Sequence, residues 1–447
     1  MNKTIAVFSM AVILCFSLSS CASTGEKLSE RGRVKQNEQS AQSTKIERIS
    51  ASDMPDGFAS VGFSSAKINF AEKTTVSTKA ELLAALKKGG VIFVNGMIDL
   101  SDGMLSDEIG GSTLALDDFV RKNSEFSSYD EYKAAYTAAC TLSTEDSNNK
   151  SPQSALYGTM HNLNLLYKDV ISLAVQSDTY LIGLGEHSGF SGGSVLVKDA
   201  KNVVIRNLFV QDAYDPFPHH EAGDGYNAQH DAISVQNSSN VWIDHCTLCD
   251  TKGISHVLTS GSIEEKWQTY DGLCDITKGC DNITVSFCKF MNHDKTMLIG
   301  SSDSEAITAE NRRITLHHNY FYNCGQRLPM VRLSTVHSYN NLFETDESAP
   351  YKSNYALGVR NAALIQSQAN YYGKGTLYSF SGHSSKQGTV YSIGDIDQSV
   401  NGKKDGQFKI SAEPLFEIPY EFTVLEAEKV MDFDKANAGA GVLIVEQ

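Results

Sequence analysis

Five stretches of the chain can be superposed residue for residue without a gap. They begin 38, 42, 31 and 22 residues apart, and each has an apolar or β-branched residue at its second and fourth positions, except at Ser338. Such alternation is typical of one short strand per repeat, and the irregular spacing favours a coil with variable loops over a propeller. The sequence therefore predicts a right-handed parallel β-helix, an all-β solenoid whose coils stack at about 4.8 Å. The stretches are NVVIRNLFV from Asn202, NVWIDHCTL from Asn240, NITVSFCKF from Asn282, RITLHHNYF from Arg313 and TVHSYNNLF from Thr335.

The first 21 residues have the composition of an export signal. One charged residue, Lys3, precedes an apolar run from Ile5 to Leu18 that is too short to span a bilayer as a stable helix. The run ends in Leu-Ser-Ser-Cys21, which resembles the bacterial lipobox, so we expect a lipoprotein-type signal peptide and a lipid on Cys21. No aspartate follows Cys21 as a retention signal, which favours the cell surface or the outer membrane of a bacterium. The alternative is an ordinary signal peptide and a secreted protein.

The rest of the chain divides into a tether and one domain. Residues 22–55 are polar and of mixed charge, so they bury too little surface to offset their ordering entropy, and we expect a flexible tether. Residues 56–447 then form the β-helix domain. Within it the segment STKAELLAALKKGG from Ser77 predicts a helix that caps the N-terminal end of the coil, and residues 101–170 predict a partly helical insertion on its outside. The tail around Asn437 is expected to return along the outside of the domain.

Net charge and cysteine content limit the binding partners and the cysteine chemistry that are compatible with this sequence. A formal charge of −15 argues against nucleic acid and would repel a polyanionic sugar unless cations intervene. Cys246 and Cys288 occupy the same place in adjacent repeats, where a disulfide and a reduced, buried stack are both compatible with one coil step. Cys246 and Cys249 have the CxxC spacing, but no second pair follows at zinc spacing. We expect a monomer.

Four charged residues fall at similar distances before the start of the next repeat. Because each repeat is one coil, we expect them on the same strand of successive coils, where they would bind a divalent cation and an anionic ligand. Two of them are four residues apart, about 13 Å in an extended strand, so they can share one ion only if the chain bends at Gly272. The four are Asp231, Asp271, Asp275 and Arg327, which lie 9, 11, 7 and 8 residues before the next repeat.

A set of ordered motifs covers the same region. The motifs are VWIDHCTL, WQTYDGLCDITKGCDNITVSF, NHDKTMLIGSSDS, ITLHHNYFYNCGQRLPMVR and VHSYNNLF. Together they resemble those of the pectate lyases, the calcium-dependent parallel β-helix enzymes that cleave polygalacturonate by β-elimination. Weaker matches extend the resemblance over most of residues 56–447, and the 101–170 insertion is the least similar part.

The resemblance implies a role for each of the site residues. It implies that Asp231, Asp271 and Asp275 hold a catalytic Ca²⁺, that Arg327 abstracts the C5 proton, and that Lys295 and Arg332 bind substrate carboxylates.

This chain departs from the family pattern at one calcium position. Some members carry a further calcium aspartate where this chain has Asn227, and an amide oxygen contributes no charge to the ion. Asp224, just upstream, is a possible substitute.

The chemistry suits these residue types. Removing the C5 proton of a uronate places negative charge next to its carboxylate, which a bound cation stabilises. An arginine base is ordinarily protonated, so we expect alkaline pH to favour activity. Arg327 and Arg332 are five residues apart and would face opposite sides of an ideal strand, unless Pro329 distorts it.

Three other functions remain compatible with the fold. A pectin lyase acts on methyl-esterified polymer without calcium, but three retained aspartates argue against it. A hydrolase needs a carboxylate pair as acid and base and releases no ultraviolet-absorbing product. A non-catalytic, polysaccharide-binding β-helix would not need the Arg327 and Lys295 pattern.

Overall fold

The computed structural model describes residues 47–105, 114–144, 156–221, 224–251, 266–349 and 352–446. The predicted signal peptide, the lipidation site Cys21 and residues 22–46 of the predicted tether lie outside the described residues. Within the described ranges, no helix combines the length and the apolar character that a bilayer crossing requires.

Parallel strands dominate the domain and follow one another as successive coils. Eight of them form a sheet that we call sheet 1, in which each strand pairs with the equivalent strand of the next coil. Its strands are Ser172–Val175, Ser194–Lys198, Ile233–Gln236, Cys274–Thr277, Leu298–Ile299, Met330–Val331, Ser353–Val359 and Thr376–Gly382.

The other main sheet has eighteen strands and folds into two faces, sheets 2 and 3. The long strands Gly90–Asp99 and Thr179–Ser191 run through both faces. The remaining strands of sheet 2 are Lys73–Val76, Lys201–Arg206, Ser239–Asp244, Asp281–Ser286, Arg313–His317, Thr335–Tyr339, Leu364–Gln368, Thr389–Ile393 and Lys409–Ile410. Those of sheet 3 are Phe209–Gln211, Thr247–Cys249, Lys289–Lys295, Tyr320–Gln326, Leu342–Glu344, Tyr371–Tyr372 and Ile396–Asp397.

Smaller elements complete the described part of the chain. A short antiparallel hairpin joins His219–Glu221 to Gly225–Asn227, and 3-10 turns cover Gly57–Ser60 and Ala309–Asn311.

The five sequence repeats occupy equivalent strands of sheet 2. The second residue of each copy pairs with the second residue of the next, and all five side chains are fully buried in the interior. This pairing confirms both the predicted parallel β-helix and the predicted register. The paired residues are Val203, Val241, Ile283, Ile314 and Val336.

Each coil turns from sheet 2 to sheet 3 at the sixth residue of the repeat. That residue has a positive φ, between 47° and 54°, in all five copies. Asparagine tolerates this left-handed conformation, and it fills the position at Asn207 and Asn340. One residue further along, buried asparagines form a ladder in which Asn319 donates to Asn341 at 2.9 Å and Asn341 donates to Asn370 at 2.9 Å. The ladder satisfies polar groups that the turn would otherwise leave unpaired inside the protein.

A helix covers the N-terminal end of the coil, as the sequence predicts. Helix α1, Lys79–Leu86, begins at a capping box formed by Thr78 and Glu81. It buries Leu82 and Leu86 against the interior of the first coils. The helix therefore shields apolar side chains that an open solenoid end would expose.

The predicted boundary between tether and domain at residue 56 is corrected by the structure. Strand Glu47–Ser50 pairs in parallel with Leu443–Glu446, and the Asp53 carboxylate accepts hydrogen bonds from Ser50 N at 3.0 Å and from Arg206 at 3.1 Å. Residues 47–55 thus belong to the folded domain. Local composition could not reveal this, because the partner strand lies at the other end of the sequence.

Three helices interrupt the coil within the predicted insertion. They are α2, Leu114–Asn123, α3, Tyr129–Thr144, and α4, Tyr157–Ile171. They share an aromatic core with residues of the coil that include Phe217, and Asn164 of α4 donates to both carboxylate oxygens of Asp215, at 3.0 and 3.1 Å. The insertion therefore packs against the segment of the coil that precedes the sheet 1 strand Ile233–Gln236.

The C-terminal tail returns along the outside of the coils. Helix α5, Ala427–Asn437, is followed by Gly439, whose N–H donates to Phe287 O at 2.7 Å, and by Gly441, whose N–H donates to Asn207 Oδ1 at 2.8 Å. These acceptors lie on progressively earlier coils, so the tail runs back towards the N-terminal end.

The described cysteines form no disulfide bonds. Cys246 and Cys288 lie one above the other in the interior, where Cys246 N donates to Cys288 Sγ at 3.4 Å. Of the two arrangements that the spacing allowed, the structure has the reduced stack.

Candidate active site

Sheet 1 brings the candidate residues into one region. In sheet 1, Ser234 pairs with Asp275, and Leu298 pairs with Met330. Because Ile276 pairs with Ile299, Asp275 lies opposite Leu298. These four residues therefore share one register position on four successive coils.

Three residues before each aligned position, the sequence has Asp231, Gly272, Lys295 and Arg327. Lys295 itself ends a strand of sheet 3 and pairs with Gln326, the residue before Arg327.

Two carboxylates converge over Gly272. A β-carbon placed on this glycine would lie 2.5 Å from Asp275 Oδ1 and 2.9 Å from Asp231 Oδ1, which is closer than atoms can approach. Gly272 N donates to Asp231 at 3.1 Å, and Leu298 N donates to Asp275 at 2.9 Å. The strand itself begins only at Cys274, so the chain around Gly272 departs from a regular strand, as the sequence required.

The electrostatics of this pair favour a bound cation. Burial raises the pKa of Asp231, and repulsion from Asp271 raises it further. Burial also raises the pKa of Asp275, with the Asp231 carboxylate as the next cause. A divalent cation with hard oxygen ligands would remove this repulsion and complete the coordination that the two carboxylates begin. The donor set therefore fits calcium.

The third predicted ligand is held by a lysine. Asp271 Oδ1 lies 2.8 Å from Lys295 Nζ, and about a third of the Asp271 side chain is exposed. Among the described residues, no three acidic, histidine or cysteine side chains are placed as a ready metal cluster. Lys295 therefore holds one carboxylate oxygen of Asp271 in an ion pair.

A buried pair that sequence reasoning missed supports the Asp271 backbone. His293 Nδ1 bonds to the Asp250 carboxylate and Nε2 lies 2.7 Å from the Asp271 carbonyl oxygen. Burial alone would lower the pKa of His293, but the Asp250 carboxylate outweighs it and raises the pKa. Burial raises the pKa of Asp250 as well, so the imidazolium form, in which both ring nitrogens donate, goes with an ionised Asp250. The only sequence signal was the position of His293 two residues before Lys295.

Asn227 and Asp224 contact each other. They lie at the antiparallel hairpin, where Asn227 Nδ2 donates to Asp224 Oδ2 at 3.2 Å and Asp224 lies 3.8 Å from Lys266 Nζ. In the described part of the chain, the polar side-chain contacts of these two residues are with each other and with Lys266. Their assignment as calcium ligands gains no support from this geometry.

The backbone at Arg327 is bent, which the sequence indicated from Pro329. Arg327 has φ of 60°, a left-handed conformation that is uncommon for a residue with a side chain, and the Leu328–Pro329 peptide bond is cis. Arg327 forms no ion pair with a described residue, and its buried Nε has no hydrogen-bond acceptor there. Unusual backbone at a charged, unpaired residue is a feature of functional sites.

Arg332 lies on the same side of the sheet and shares its surroundings with other cations. Its Nε is 3.1 Å from Asp303 Oδ1. Burial lowers the pKa of Arg332, and the neighbouring Arg360 and Arg327 lower it further. The three guanidinium groups are thus close enough to repel one another, and an anionic ligand would relieve that repulsion.

Arg360 and Tyr355 were not predicted. Val331 pairs with Val359, so Arg360 follows its strand at the position that Arg332 has on the preceding coil. The sequence contains the dipeptide Val-Arg on both coils, which could have indicated Arg360. The five aligned repeats, however, lie on sheet 2 and do not include these residues of sheet 1.

Comparison with known proteins agrees with this fold. A family model described as pectate lyase matches residues 167–441. Pectate lyase E of Dickeya chrysanthemi is 38% identical over 212 residues, which are 47% of this chain and 55% of that protein. Pectate lyase D of the same organism is 34% identical over 61% of this chain and 72% of its own length. The chain therefore spans little more than half of the first relative.

Solved structures resemble the domain over most of its length. A thermostable pectate lyase is 30% identical, with a TM-score of 0.69 over 87% of this chain and 97% of that one. A pectate lyase bound to a hexasaccharide is 25% identical, with a TM-score of 0.71 over the same shares.

The space above Gly272 predicts the effect of one methyl group. In Gly272→Ala the new β-carbon must displace the carboxylates of Asp231 and Asp275, so calcium affinity is expected to fall at least about tenfold. Calorimetric titration with calcium measures it. Gly158→Ala is the matched control, because Gly158 lies in α4 with open space around its β-carbon. Equal affinity in Gly272→Ala and the parent would contradict the proposed position of the ion.

The raised pKa values of the pair predict a pH-dependent calcium effect. Both carboxyl groups hold protons more tightly in the folded protein than in the unfolded chain. The calcium-free protein therefore loses stability as the pH rises above about 4 and through their raised pKa values. Calcium binds the charged forms, so its stabilising effect on Tm should be small near about pH 4.5 and larger near about pH 8.

Thermal unfolding with calcium and with a chelator at both pH values tests this. The Asp275→Asn variant serves as the control in which the calcium effect should be largely lost. An increase in Tm that is the same at both pH values would show that the ion binds elsewhere.

Proposed function

Because the chain belongs to the pectate lyase family, we propose that it cleaves polygalacturonate by calcium-assisted β-elimination and releases 4,5-unsaturated oligogalacturonates. The observation that supports this most directly is that Lys295 pairs with Gln326, the residue before Arg327, two coils beyond the carboxylate pair. Arg327 forms no ion pair with a described residue, and its buried Nε has no acceptor there. The other carbohydrate chemistries on this fold have no comparable support from the site.

Asp231, Asp275 and Asp271 are the residues proposed to hold calcium. When bound, calcium would draw charge from the substrate carboxylate and so acidify the adjacent C5 proton. Lys295 Nζ lies 2.8 Å from Asp271 Oδ1, where it would compete with the ion for this oxygen. Loss of that contact would free the lysine to bind a substrate carboxylate, so one exchange would prepare both the metal ligand and the substrate ligand.

Arg327 is the proposed base. It takes the proton from C5, the electrons of that bond form the C4–C5 double bond, and the C4–O bond to the leaving sugar breaks. The leaving oxygen takes a proton from solvent water and becomes the new end of the departing chain. Arg332 lies at the next turn of the same coil and is proposed to bind a second carboxylate, which its position beside Arg327 and Arg360 supports.

The test follows the unsaturated product by its ultraviolet absorbance. The parent should release it from polygalacturonate with calcium and not with chelator, and Arg327→Ala should lower kcat by about 100- to 10,000-fold, the usual contribution of a proton-transfer residue. Arg121→Ala is the control, since Arg121 is exposed on α2. Equal parent rates with chelator would refute the calcium mechanism, and full activity in Arg327→Ala would remove this arginine as the base. Cleavage without absorbance would indicate a hydrolase.

We also propose that the protein is exported and held at the cell surface by a lipid on Cys21, with polygalacturonate as its partner outside the cell. The sequence Leu-Ser-Ser-Cys21 after the apolar run supports this. The monomeric state stays a prediction.

A substitution at the lipobox tests the anchor. Cys21→Ser should move the protein from the membrane fraction to the soluble or secreted fraction, because no acyl chain can be attached. Cys15→Ser, inside the proposed signal, is the matched control and should leave the protein in the membrane fraction. Parent protein that is already free of membranes would rule out the anchor.

A further inference from the structure

A buried carboxylate of the coil receives a side chain from the helical insertion. Asp215 is fully buried in the segment that precedes the sheet 1 strand Ile233–Gln236. Asn164 of α4, itself 3% exposed, donates from Nδ2 to both carboxylate oxygens of Asp215 and, at 3.1 Å, to Phe217 O. Phe217 N donates back to Asp215 Oδ1 at 2.9 Å. Asn164 therefore holds both the side chain and the backbone of this turn.

Asp215 in turn contacts the two chain segments that lead to the proposed calcium ligands. Its Oδ2 accepts a hydrogen bond from Gln229 N at 2.9 Å, and Gln229 is two residues before Asp231. Its backbone N donates to Thr269 O at 2.8 Å, and Thr269 is two residues before Asp271. One buried residue thus fixes the backbone at the same sequence distance from two of the ligands.

The other helices of the insertion hold the same turn. Tyr129 of α3 donates from its hydroxyl to Pro216 O at 2.8 Å. The Phe217 ring centre lies 5.8 Å from that of Phe119 on α2 and 5.7 Å from that of Tyr167 on α4. All three helices therefore contact residues 215–217, and the position of this turn depends on the insertion.

The orientation of the Asp215 carboxylate decides whether these contacts persist. Oδ1 accepts from Phe217 N and Oδ2 from Gln229 N, so the group must be held in one rotation. Asn164 Nδ2 spans both oxygens and fixes that rotation. A buried carboxylate that loses this donor is left short of hydrogen bonds, which favours a shift of the surrounding backbone. Calcium ligands must lie within roughly 2.3–2.6 Å of the ion, so a shift of the segments that carry them lowers affinity.

We propose that Asn164 and Asp215 are a positioning pair for the calcium site. They set the course of the backbone towards Asp231 and Asp271, and the helical insertion is therefore a supporting part of that site. This inference rests on the calcium role in the proposed function and adds the elements that hold the ligands. Neither member of the pair contacts the ion or the substrate, because each acts through the backbone.

Calcium titration tests the pair. Asn164→Leu keeps a similar volume but removes the donor, so the calcium Kd from calorimetry should rise about tenfold or more, the usual cost of losing a residue that supports a metal ligand. Asn162→Leu is the matched control, because Asn162 is exposed on the same helix and should leave the Kd unchanged. An unchanged Kd in Asn164→Leu would overturn the positioning role.

The calcium dependence of activity separates positioning from a general loss of fold. In Asn164→Leu the calcium concentration for half-maximal release of unsaturated product should rise about tenfold. At saturating calcium, kcat should stay within about twofold of the parent, because the filled site is the same. A lower Tm with an unchanged Kd and an unchanged half-maximal concentration would mean that the pair supports the fold alone, and this would overturn the proposal.

A second variant tests whether the two residues act as a unit. Asp215→Asn has the same shape, but one acceptor becomes a donor that faces either Phe217 N or Gln229 N, so calcium affinity should again fall. The double variant with Asn164→Leu should bind calcium no more weakly than Asp215→Asn alone, because both changes break one unit. Additive losses of affinity would contradict the pair.

Hydrogen exchange tests the same coupling in the parent protein without any substitution. If the insertion strengthens calcium binding, calcium must stabilise the insertion by the same factor, so amide exchange in α4 should slow by about tenfold when calcium is added. Helix α5, Ala427–Asn437, is the internal control and should change less. Exchange in α4 that calcium slows no more than in α5 would overturn the proposal.

The outcome for the parent distinguishes this inference from the proposed function. Parent protein that neither binds calcium nor releases unsaturated product would refute the proposed function. Parent protein that binds calcium and cleaves, with the same Kd in Asn164→Leu, would refute the positioning pair alone.

Discussion

Parallel hydrogen-bond pairing between successive coils fixes the position of each side chain in this domain. A residue in one coil has a defined neighbour in the next, at the spacing of adjacent strands. Val203, Val241 and Ile283 are stacked by this pairing in the interior. The same pairing places Lys295 opposite Gln326, the residue before Arg327. The core and the candidate site therefore depend on one register, although they share no side chain.

The sequence predicted the fold well, because the repeat contains the register directly. An apolar residue at the second position of each copy is both the pattern that can be recognised and the side chain that fills the interior. The capping helix was equally visible, since Thr78 and Glu81 form a local capping box. The start of the domain was placed too late, because strand Glu47–Ser50 depends on a partner about the whole domain away in sequence. Local composition has no access to such pairing.

The candidate site was predictable in its residue types and less so in its arrangement. The bends at Gly272 and Arg327 followed from spacing that no straight strand could satisfy. The ion pair between Asp271 and Lys295 did not, because it depends on side-chain positions on adjacent coils. Arg360 was missed for a different reason: a charged residue after a strand has many bland explanations, and its unpaired state appears only when its neighbours are known.

The parallel pairing of Glu47–Ser50 with Leu443–Glu446 affects the kinetic stability of the molecule as well as its fold. A stacked array whose units contact only their neighbours can lose structure one unit at a time from either end. Here the tail crosses the earlier coils and pairs with the first described strand, so these two segments of the chain are held together. Contacts between the two ends of a sequence form slowly, because the intervening chain must already be ordered. Once formed, they make unfolding a more concerted event, and resistance to proteases then depends on the rate of that event.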